Sequence, residues 1–254
     1  MILGIIPARF ASSRLFGKIL ADVGGKPMIQ HTYESSIKSN LINKVVIAVD
    51  DTKVANVAQS FGAQAIMTPK ELQSGSDRAA YVLNNFPEAE IVVNIQADEP
   101  FIKSTMIDQA IEPLLFDRNV NVSTLAKRVE SVEELRSPSV VKVVFDYNNF
   151  AMYFSRSPIP FVRDAKTNSE KIQLAEIYKH IGLYVYRRDY LFRFTKLQPT
   201  DLEISEKLEQ LRMLENGFKI KIVITEFDTI SIDTPDDLER ARRYYQRISK
   251  SENR

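Results

Sequence analysis

Residues 2–18 read ILGIIPARFASSRLFGK, an apolar run that leads directly into a loop rich in cations and hydroxyls. Residues 2–6 have the length and composition of a buried strand. The loop supplies Arg9, Arg14 and Lys18 together with two serines, and several such donors close together suit an anion. A strand, a loop of this kind and then a helix are typical of the first unit of an open α/β sheet, whose ligands bind beyond the carboxyl ends of the strands. The stretch alone also allows a solvated basic surface loop.

Strand-like runs and helical patterns alternate through the first part of the chain. The apolar runs cover 2–6, 44–49, 64–67 and 90–95, and the helical patterns between them cover 27–39, 52–61 and 77–85. This alternation is the βαβ signature of a parallel sheet with helices on its faces. We therefore predict an α/β fold with a Rossmann-like, open and mostly parallel sheet.

The pattern changes from residue 140 onward. Strand-like runs at 140–145, 151–154 and 180–186 are separated by polar loops instead of helices, and 164–176 is the most polar loop. Beyond this section, 205–215 has a helical pattern and 219–225 resembles a strand. We predict a single domain over 1–254, in which 140–187 forms a smaller, partly antiparallel inserted section.

Composition excludes several classes of function. The chain has 254 residues, and 34 basic against 33 acidic residues give a net charge of +1, so no global field favours nucleic acid or lipid. The absence of cysteine removes disulfides, thiolate metal sites and cysteine nucleophiles. The apolar start is too short to span a membrane and lacks the pattern of a signal peptide. We expect a soluble, cytoplasmic protein with a local anion site.

Two familiar nucleotide motifs are missing, because no Gly-x-Gly-x-x-Gly follows the first strand and Gly17-Lys18 lacks the upstream glycine of a P-loop. A second cluster, QSGSDR at 73–78, opens a predicted helix. Its simplest interpretation is an N-cap formed by Ser74 or Ser76, with Asp77 favoured by the helix dipole. A role in base recognition would require these side chains to reach a pyrimidine edge.

Carboxylates follow the apolar run 90–95 and the short run 230–232. Asp98 and Asp233 are the candidates, since carboxylates at the carboxyl ends of strands face the ligand crevice. Mg²⁺ typically takes one or two protein carboxylates, with phosphate oxygens and water completing its shell. Asp233 also has a structural alternative at a helix start, where Thr234 caps and Pro235 occupies the first turn.

Ten motifs in chain order give the sequence a specific resemblance. The chain resembles the 3-deoxy-manno-octulosonate cytidylyltransferases, the CMP-Kdo synthetases of bacterial lipopolysaccharide synthesis, where Kdo is 3-deoxy-manno-octulosonate. The motifs are IPAR (6–9), SSR (12–14), GK (17–18), GKPMIQ (25–30), QSGSDR (73–78), QADEP (96–100), YFSRSPIP (153–160), YKHIG (178–182), LEQLR (208–212) and DTP (233–235).

The resemblance implies a nucleotidyltransferase of the nucleotide-diphospho-sugar transferase type that joins CTP to Kdo and releases pyrophosphate. It implies a catalytic set of Arg9, Lys18, Asp98 and Asp233, in which the two aspartates bind Mg²⁺. It also implies that Arg9, Ser13 and Lys18 hold the triphosphate and that Ser74 and Arg78 lie at the cytidine end. The implied sugar-binding residues are Gln96, which also serves the nucleotide, and Arg156, His180, Glu209 and Gln210.

Three positions depart from the family pattern. Phe16 and Ile19 replace prolines around Gly17-Lys18, which predicts a more mobile loop, and Ala97 replaces a glycine, which would be strained if positive φ were needed. Two alternatives therefore stay open: the same reaction on 8-amino-Kdo or a nonulosonic acid, and a catalytically weak nucleotide-binding protein. The resemblance also implies a homodimer, with 140–187 as the contact surface.

Overall fold

The computed structural model describes residues 1–11 and 15–252. The chain divides into two compact units, the first formed by Met1–Asp108 with Thr229–Arg254 and the second by Gln109–Asp228. The section 140–187 lies wholly within the second unit. That the chain folds as a single domain stays a prediction.

The first unit contains a parallel sheet with helices between its strands. Its elements, in chain order, are β1 (Ile2–Ala8), a 3₁₀ helix (Lys18–Leu20), β2 (Asp22–Val23), β3 (Lys26–Pro27), α1 (Met28–Ser36), β4 (Lys44–Val49), α2 (Thr52–Ser60), β5 (Gln64–Met67), α3 (Gly75–Leu83) and β6 (Ile91–Asn94). The strand order is β6-β1-β4-β5, and every pair is parallel. The α/β prediction is confirmed.

This sheet explains why distant residues can meet. Strand β1 lies between β4 and β6, with Ile5 opposite Val46 on one side and Asn94 on the other. Ile5 and Val46 are fully buried, as expected for strands covered on both faces. Because the strands are parallel, the segments that follow them lie along one edge.

Helix starts in the first unit carry the predicted caps. Ser74 caps α3 and forms a capping box with Asp77, so the N-cap interpretation of this cluster is confirmed. The last helix of the unit begins at Pro235, and the Thr234 hydroxyl accepts a hydrogen bond from the Asp237 N–H at 3.2 Å. The Asp237 carboxylate accepts in return from the Thr234 N–H at 3.0 Å, so this cap is also confirmed.

A turn between β2 and β3 packs against the C-terminal part of the first unit. Gly24 in this turn has φ of 65°, and a Cβ placed there would lie 2.0 Å from the ring of Tyr245. The Arg242 guanidinium donates to the Asp22 carbonyl at 3.0 Å. These contacts hold the helix that follows Asp233 against the rest of the unit.

The second unit is built on a mixed sheet. Helix α4 (Ser104–Phe116) carries the chain from the first unit into the second, and the final helix is α10 (Pro235–Glu252). Between them lie β7 (Val122–Arg128), α5 (Val132–Arg136), β8 (Lys142–Phe145), β9 (Ala151–Ser155), α6 (Asn168–Leu174), β10 (Tyr178–Arg187), α7 (Arg188–Phe194), α8 (Asp201–Glu206), α9 (Glu209–Glu215) and β11 (Lys221–Ile224).

Most pairings in the second unit are antiparallel, as predicted for 140–187. Strand β10 pairs antiparallel with β7 and β8, and β8 pairs antiparallel with β9. The remaining pair, β11 with β7, is parallel.

Two local predictions for the second unit are wrong. The polar stretch 164–176, predicted as a loop, contains helix α6, which Thr167 caps by accepting from the Glu170 N–H. The single helix predicted over 205–215 is two helices, because Lys207 adopts a left-handed conformation with φ of 54°. Within residues 1–11 and 15–252, no helix combines the length and apolar composition needed to cross a bilayer.

Candidate functional site

Lys18, Asp98 and Asp233 meet at one point in the first unit. The Lys18 ammonium donates to Asp98 Oδ2 at 2.6 Å and to Asp233 Oδ1 at 2.8 Å. Its third donor reaches the carbonyl of Ile232 at 3.1 Å. Asp98 follows β6, and Asp233 is placed beside it because the Ile232 N–H donates to the Asp98 carbonyl at 3.0 Å. Residues predicted from three separate motifs are thus brought together.

The ammonium is a partly desolvated cation between two anions. The Lys18 side chain is 12% exposed, whereas those of Asp98 and Asp233 are 24% and 26% exposed. Burial alone would lower the pKa of Lys18, but the charge and hydrogen bonds of the two carboxylates outweigh it and raise the pKa. Lys18 is therefore protonated at neutral pH, and both carboxylates have an open side toward solvent.

The same three residues indicate which groups could hold a metal ion. A protein lysine already occupies the position of a cation that both carboxylates contact. Two carboxylates suit Mg²⁺, which usually keeps phosphate oxygens and water as its other ligands. Within the residues that the structure describes, no group of three or more acidic, histidine or cysteine side chains forms a closed metal cage. The donor set therefore fits a metal shared with a phosphate ligand.

The segment that carries Lys18 is held at several positions. Gly17, with φ of 66°, donates its N–H to the Phe10 carbonyl at 3.2 Å. The rings of Phe10 and Phe16 meet edge to face with centroids 4.9 Å apart, and Ile19 is buried. The two residues that replace prolines thus make packing contacts of their own.

Ala97 is not strained by the absence of glycine. Among the non-glycine residues that the structure describes, only Asn149 and Lys207 have positive φ. The methyl group of Ala97 is buried, and its carbonyl accepts a hydrogen bond from the Thr32 hydroxyl at 3.3 Å. The strain considered for this position is therefore not found.

Arg9 lies in the loop that follows β1 and has an exposed side chain. Its guanidinium donates to the Gln73 carbonyl at 3.3 Å, which links this loop to the segment before α3. A guanidinium has five N–H donors, so this bond leaves donors on an exposed side chain for an anion. Ser13, the other predicted phosphate ligand of this loop, lies outside the described residues.

Arg78 is buried, and its guanidinium bonds to protein groups. It donates to Asp50 Oδ2 at 3.1 Å, to the Thr68 hydroxyl at 2.5 Å and to the Pro69 carbonyl at 3.1 Å. Burial lowers the pKa of Arg78, and the Asp50 carboxylate opposes that shift. Asp50 Oδ1 also accepts the Phe10 N–H at 2.9 Å. The pair therefore joins the loop after β1 to the ends of β4 and β5.

Ser74 and Gln96 are two further predicted ligands that belong to the first unit. The Ser74 hydroxyl accepts the Asp77 N–H at 3.1 Å, so it serves the helix start as an N-cap. Gln96, half-buried and two residues before Asp98, accepts the Glu99 N–H on its carbonyl at 3.3 Å. Its side chain stays a predicted ligand of nucleotide and sugar.

In the second unit, Arg156 holds a loop and a helix end together. Its guanidinium donates to the carbonyls of Glu206 at 2.7 Å, Pro138 at 2.8 Å and Lys207 at 3.2 Å. A guanidinium has five N–H donors, so these bonds leave donors for a further acceptor such as a carboxylate. A role toward a sugar carboxylate stays a prediction.

The surroundings of Arg156 contain two shifted ionisable groups. Burial would raise the pKa of Glu206, but hydrogen bonds from the Ser155 hydroxyl and the Arg156 N–H lower it. The fully buried Lys142 donates to three backbone carbonyls, including that of Arg156 at 2.7 Å. Burial and the Arg156 charge lower the pKa of Lys142 to about 8.

His180 is the histidine of the second unit and lies on β10. Its Nε2 is 2.9 Å from the Thr124 hydroxyl. The imidazole packs between Phe154 and Tyr184, with centroid distances of 5.1 and 5.3 Å. Burial lowers the pKa of His180 to about 3, so the ring is neutral at physiological pH.

Glu209 and Gln210 open helix α9. Leu208 is the N-cap of this helix, Glu209 is half-buried and Gln210 is 7% exposed. Both belong to the second unit, together with Arg156 and His180. The predicted sugar ligands are thus found in the second unit, apart from Gln96, which belongs to the first.

Three residues with evident roles were not predicted from the sequence. Asp50 pairs with Arg78, Thr124 bonds to His180, and Glu206 binds the Arg156 backbone. Asp50 had a signal, since it directly follows the apolar run of β4 as Asp98 follows β6. The sequence carried no signal for Thr124 or Glu206, because their partners lie 56 and 50 residues away.

Comparisons with known proteins agree with the motifs. A family model described as cytidylyltransferase matches residues 3–222. The chain is 48% identical over 243 residues to a 3-deoxy-manno-octulosonate cytidylyltransferase of Geotalea uraniireducens, covering 94% of this chain and 96% of that protein. It is 49% identical over 243 residues to the protein of the same name from Geobacter sulfurreducens, covering 94% and 97%.

A solved structure is similar over nearly the whole chain. It is CMP:2-keto-3-deoxy-manno-octonic acid synthetase complexed with CTP, with a TM-score of 0.89 and 40% sequence identity. The match covers 97% of this chain and 98% of that one.

Proposed function

Since the chain belongs to the cytidylyltransferase family, we propose that it transfers CMP from CTP to Kdo, forming CMP-Kdo and pyrophosphate for lipopolysaccharide biosynthesis. In this reaction an oxygen of the sugar's anomeric hydroxyl attacks the α-phosphorus of CTP in line. The bond from the α-phosphorus to the oxygen that bridges to the β-phosphorus breaks, the hydroxyl proton passes to solvent, and pyrophosphate leaves. No covalent enzyme intermediate is needed.

The first unit supplies the groups for the triphosphate. Arg9 and Lys18 stabilise the negative charge that develops on the departing pyrophosphate, because fixed cations aimed at developing charge lower the barrier. Ser13 contributes a hydroxyl to the same anion. Ser74 and Arg78 lie toward the cytidine end, where the buried Arg78–Asp50 pair sets the backbone of the surrounding segments.

Asp98 and Asp233 are the proposed ligands of Mg²⁺. The support for this assignment is their convergence on the ammonium of Lys18, which marks a position where both carboxylates accept a cation. When bound, the metal ion would supply positive charge to the phosphates. Among known binding modes, Mg²⁺ held by one or two carboxylates and substrate phosphates is the common one.

The acid sugar is assigned to Gln96, Arg156, His180, Glu209 and Gln210. Arg156 suits the sugar carboxylate because a guanidinium offers parallel donors to two oxygens. Glu209 and Gln210 suit hydroxyls. A neutral His180 can serve a hydroxyl group without attracting the carboxylate.

The observation that carries the proposal is the meeting of Lys18, Asp98 and Asp233 at one point in the first unit. The test measures pyrophosphate release over a matrix of nucleoside triphosphates and acid sugars. Release should be fastest with CTP and Kdo, and slower with 8-amino-Kdo or a nonulosonic acid. Magnesium-dependent CTP binding without release for any sugar would instead support a weak nucleotide-binding protein.

Two substitutions sharpen this test. Asp98→Asn should lower kcat/KM at least 100-fold, a loss of about 3 kcal/mol of transition-state stabilisation. Asp236→Asn is the matched control, since Asp236 is exposed near Asp233 in the first turn of α10, and it should keep near-normal turnover. Near-normal turnover in Asp98→Asn would remove the catalytic assignment.

We also propose a homodimer located in the cytoplasm. Large apolar side chains in 140–187 are exposed, including Met152 at 66% and Phe161 at 82%, and such groups are typical of protein contacts. Met152 lies on β9, which pairs with β8. Sedimentation of the wild type and of Met152→Lys tests the association, and a wild-type monomer at micromolar concentration would contradict it.

A further inference from the structure

Strand β10 contains a β-bulge beside His180. Opposite β7, Ile181 pairs with Leu125 and Tyr184 pairs with Thr124, so two extra residues lie between them on β10. The Thr124 hydroxyl reaches this irregularity. Its oxygen lies 2.7 Å from the Leu183 carbonyl and 3.2 Å from the Ile181 carbonyl.

These distances determine where the hydroxyl hydrogen of Thr124 lies. Two oxygens 2.7 Å apart require a hydrogen between them, and a carbonyl oxygen has none to donate. The Thr124 hydroxyl therefore donates to Leu183. Its lone pairs remain as acceptors, and Nε2 of the His180 imidazole lies 2.9 Å from this oxygen.

Because Thr124 donates to the Leu183 carbonyl, the direction of its hydrogen bond with His180 is also determined. A hydroxyl has one hydrogen, so Thr124 cannot also donate to His180. Nε2 must instead be the donor, and in a neutral imidazole the other nitrogen, Nδ1, is then an acceptor. Within the described part of the chain, the imidazole of His180 makes one side-chain hydrogen bond, which is the bond with Thr124.

We propose that Thr124 is a positioning residue that fixes His180 in the Nε2–H tautomer, so that Nδ1 accepts a hydrogen bond from a hydroxyl group of the sugar substrate. The part that concerns the sugar rests on the proposed function. An acceptor nitrogen binds a hydroxyl and repels a carboxylate, so His180 distinguishes the two kinds of oxygen on an acid sugar.

The packing around His180 supports a single ring orientation. Phe154 and Tyr184 contact the imidazole at tilts of 78° and 49°, which limits its rotation about the bond to Cβ. Its lowered pKa keeps the ring neutral, so the distinction between tautomers applies throughout the physiological pH range. Thr124 is itself fully buried on β7.

The test reads the tautomer directly by NMR. The 254-residue chain has two histidines, so a long-range ¹H–¹⁵N spectrum of ¹⁵N-labelled protein contains two imidazole patterns. His31 is an internal reference, because its Nε2 lies 2.7 Å from the Val23 carbonyl and must also carry hydrogen there. We expect the Nε2–H pattern for both rings.

Two substitutions connect the tautomer to Thr124. Thr124→Val keeps the shape but removes the acceptor, and we expect His180 to become a mixture of tautomers while His31 is unchanged. Thr124→Ser keeps the hydroxyl and should retain the wild-type pattern. A wild-type His180 in the Nδ1–H form, or an unchanged pattern in Thr124→Val, would overturn the positioning role. If Thr124→Val does not fold, the wild-type and Thr124→Ser spectra still decide the tautomer.

Kinetics test the part that concerns the sugar. Thr124→Val should raise KM for Kdo about 3- to 10-fold, the loss expected for one neutral hydrogen bond, and leave KM for CTP unchanged. Thr124→Ser should restore the wild-type value. If the spectra are as expected but KM for Kdo does not change, the tautomer assignment stands and the placement of His180 at the sugar is wrong. Equal increases of both KM values would indicate a merely structural role for Thr124.

Discussion

Replacing Lys18 by methionine should make the stability of the protein depend on a divalent cation. In the wild type, the ammonium lies 2.6 Å from Asp98 Oδ2 and 2.8 Å from Asp233 Oδ1. Methionine has a similar length but no charge, so Lys18→Met removes the ammonium that both carboxylates contact.

The magnitude follows from distance and exposure. At an effective dielectric constant near 20, one ion pair 4 Å apart attracts by about 4 kcal/mol, and desolvation of the charges offsets much of this. The lysine is 12% exposed, but both carboxylates are about a quarter exposed and can turn toward water in the variant. We expect a net loss of about 2 kcal/mol, which lowers Tm by about 4–8 °C for a protein of this size.

The choice of pH follows from the raised pKa of Lys18. Because the pKa of Lys18 in the folded protein lies above its ordinary value of 10.5, the stabilisation is fully present below that value and is lost only as the pH rises through the folded-state pKa. Measurements at pH 7.5 therefore record the whole effect.

The assay is thermal unfolding without nucleotide, in EDTA and in increasing MgCl₂. Added Mg²⁺ at about 100 times its dissociation constant should stabilise Lys18→Met by about 2.7 kcal/mol. The wild type should respond less, because its lysine competes for the same oxygens. Lys26→Met is the matched control, since Lys26 forms a half-buried ion pair with a single carboxylate, Glu34, and its loss should change stability by less than about 1 kcal/mol.

The reasoning would be refuted by an equal response to Mg²⁺ in the wild type and in Lys18→Met. The double variant Lys18→Met with Asp98→Asn adds a further check, because it removes one carboxylate of the pair. Its response to Mg²⁺ should fall below that of Lys18→Met, and an undiminished response would place the ion elsewhere.

Three further outcomes are expected. Asp50→Asn should lower the free energy of unfolding by about 3 kcal/mol in urea, because the guanidinium of Arg78 is fully buried and would lose its counter-ion. Gly24→Ala should lower the free energy of unfolding more than Gly25→Ala does. Both positions have positive φ, but only a Cβ at Gly24 would lie against an aromatic ring. Equal losses of stability in the two variants would contradict this explanation. His180 has a pKa of about 3 in the folded protein, against about 6.5 in the unfolded chain. The free energy of unfolding should therefore fall as the pH drops below about 6.5, by at most about 1.4 kcal/mol per pH unit. His180→Gln should remove this pH dependence.

The sequence predicted the first unit well because its signals are local. The strands at 44–49 and 64–67 are found at those bounds, since apolar runs between helix-capping and turn residues leave few alternatives. Gly62, directly after Phe61 at the end of α2, has φ of 84°, and glycine just past the end of a helix is a signal that the sequence alone carries. Such signals depend on neighbours in the chain and need no knowledge of tertiary contacts.

The second unit was harder to predict because its polar residues are satisfied by distant partners. Strand β7 has no continuous apolar run, since Ser123, Thr124 and Lys127 are buried in it. The Ser123 hydroxyl donates to Ala110, and the Lys127 ammonium pairs with Glu130 and Asp228. No periodic pattern marks a strand whose buried side chains are polar.

Helix α6 was missed for a different reason. None of its residues is buried, so it has no apolar stripe to detect. A signal was present in its cap, where Thr167 stands three residues before Glu170. The break at Lys207 had no such marker, because lysine is not typical of the left-handed conformation.

The candidate site likewise contains residues that nearby sequence signals predict and residues that only tertiary contacts reveal. Asp98 and Asp233 were predicted because both follow short apolar runs, 90–95 and 230–232. The first run contains strand β6, whereas 230–232 is not a strand, and the Ile232 N–H reaches the Asp98 carbonyl to bring the two residues together. The involvement of Asp50 with Arg78, and of Thr124 with His180, depends on contacts across 28 and 56 residues. Chemical type and position in the chain identified Lys18, Asp98 and Asp233, and the family resemblance added Arg156 and Glu209. Their supporting partners required coordinates.

The first unit is discontinuous, because Asp233 joins Lys18 and Asp98 only after residues 109–228 have intervened. During synthesis on the ribosome, the nascent chain exposes Lys18 and Asp98 well before Asp233, a delay on the order of ten seconds at about 5–20 residues per second. The pair of carboxylates around Lys18 is therefore completed late in translation. A nascent chain released early, or a proteolytic fragment without residues 229–252, would retain most of the parallel sheet but lack one of the two carboxylates that surround Lys18.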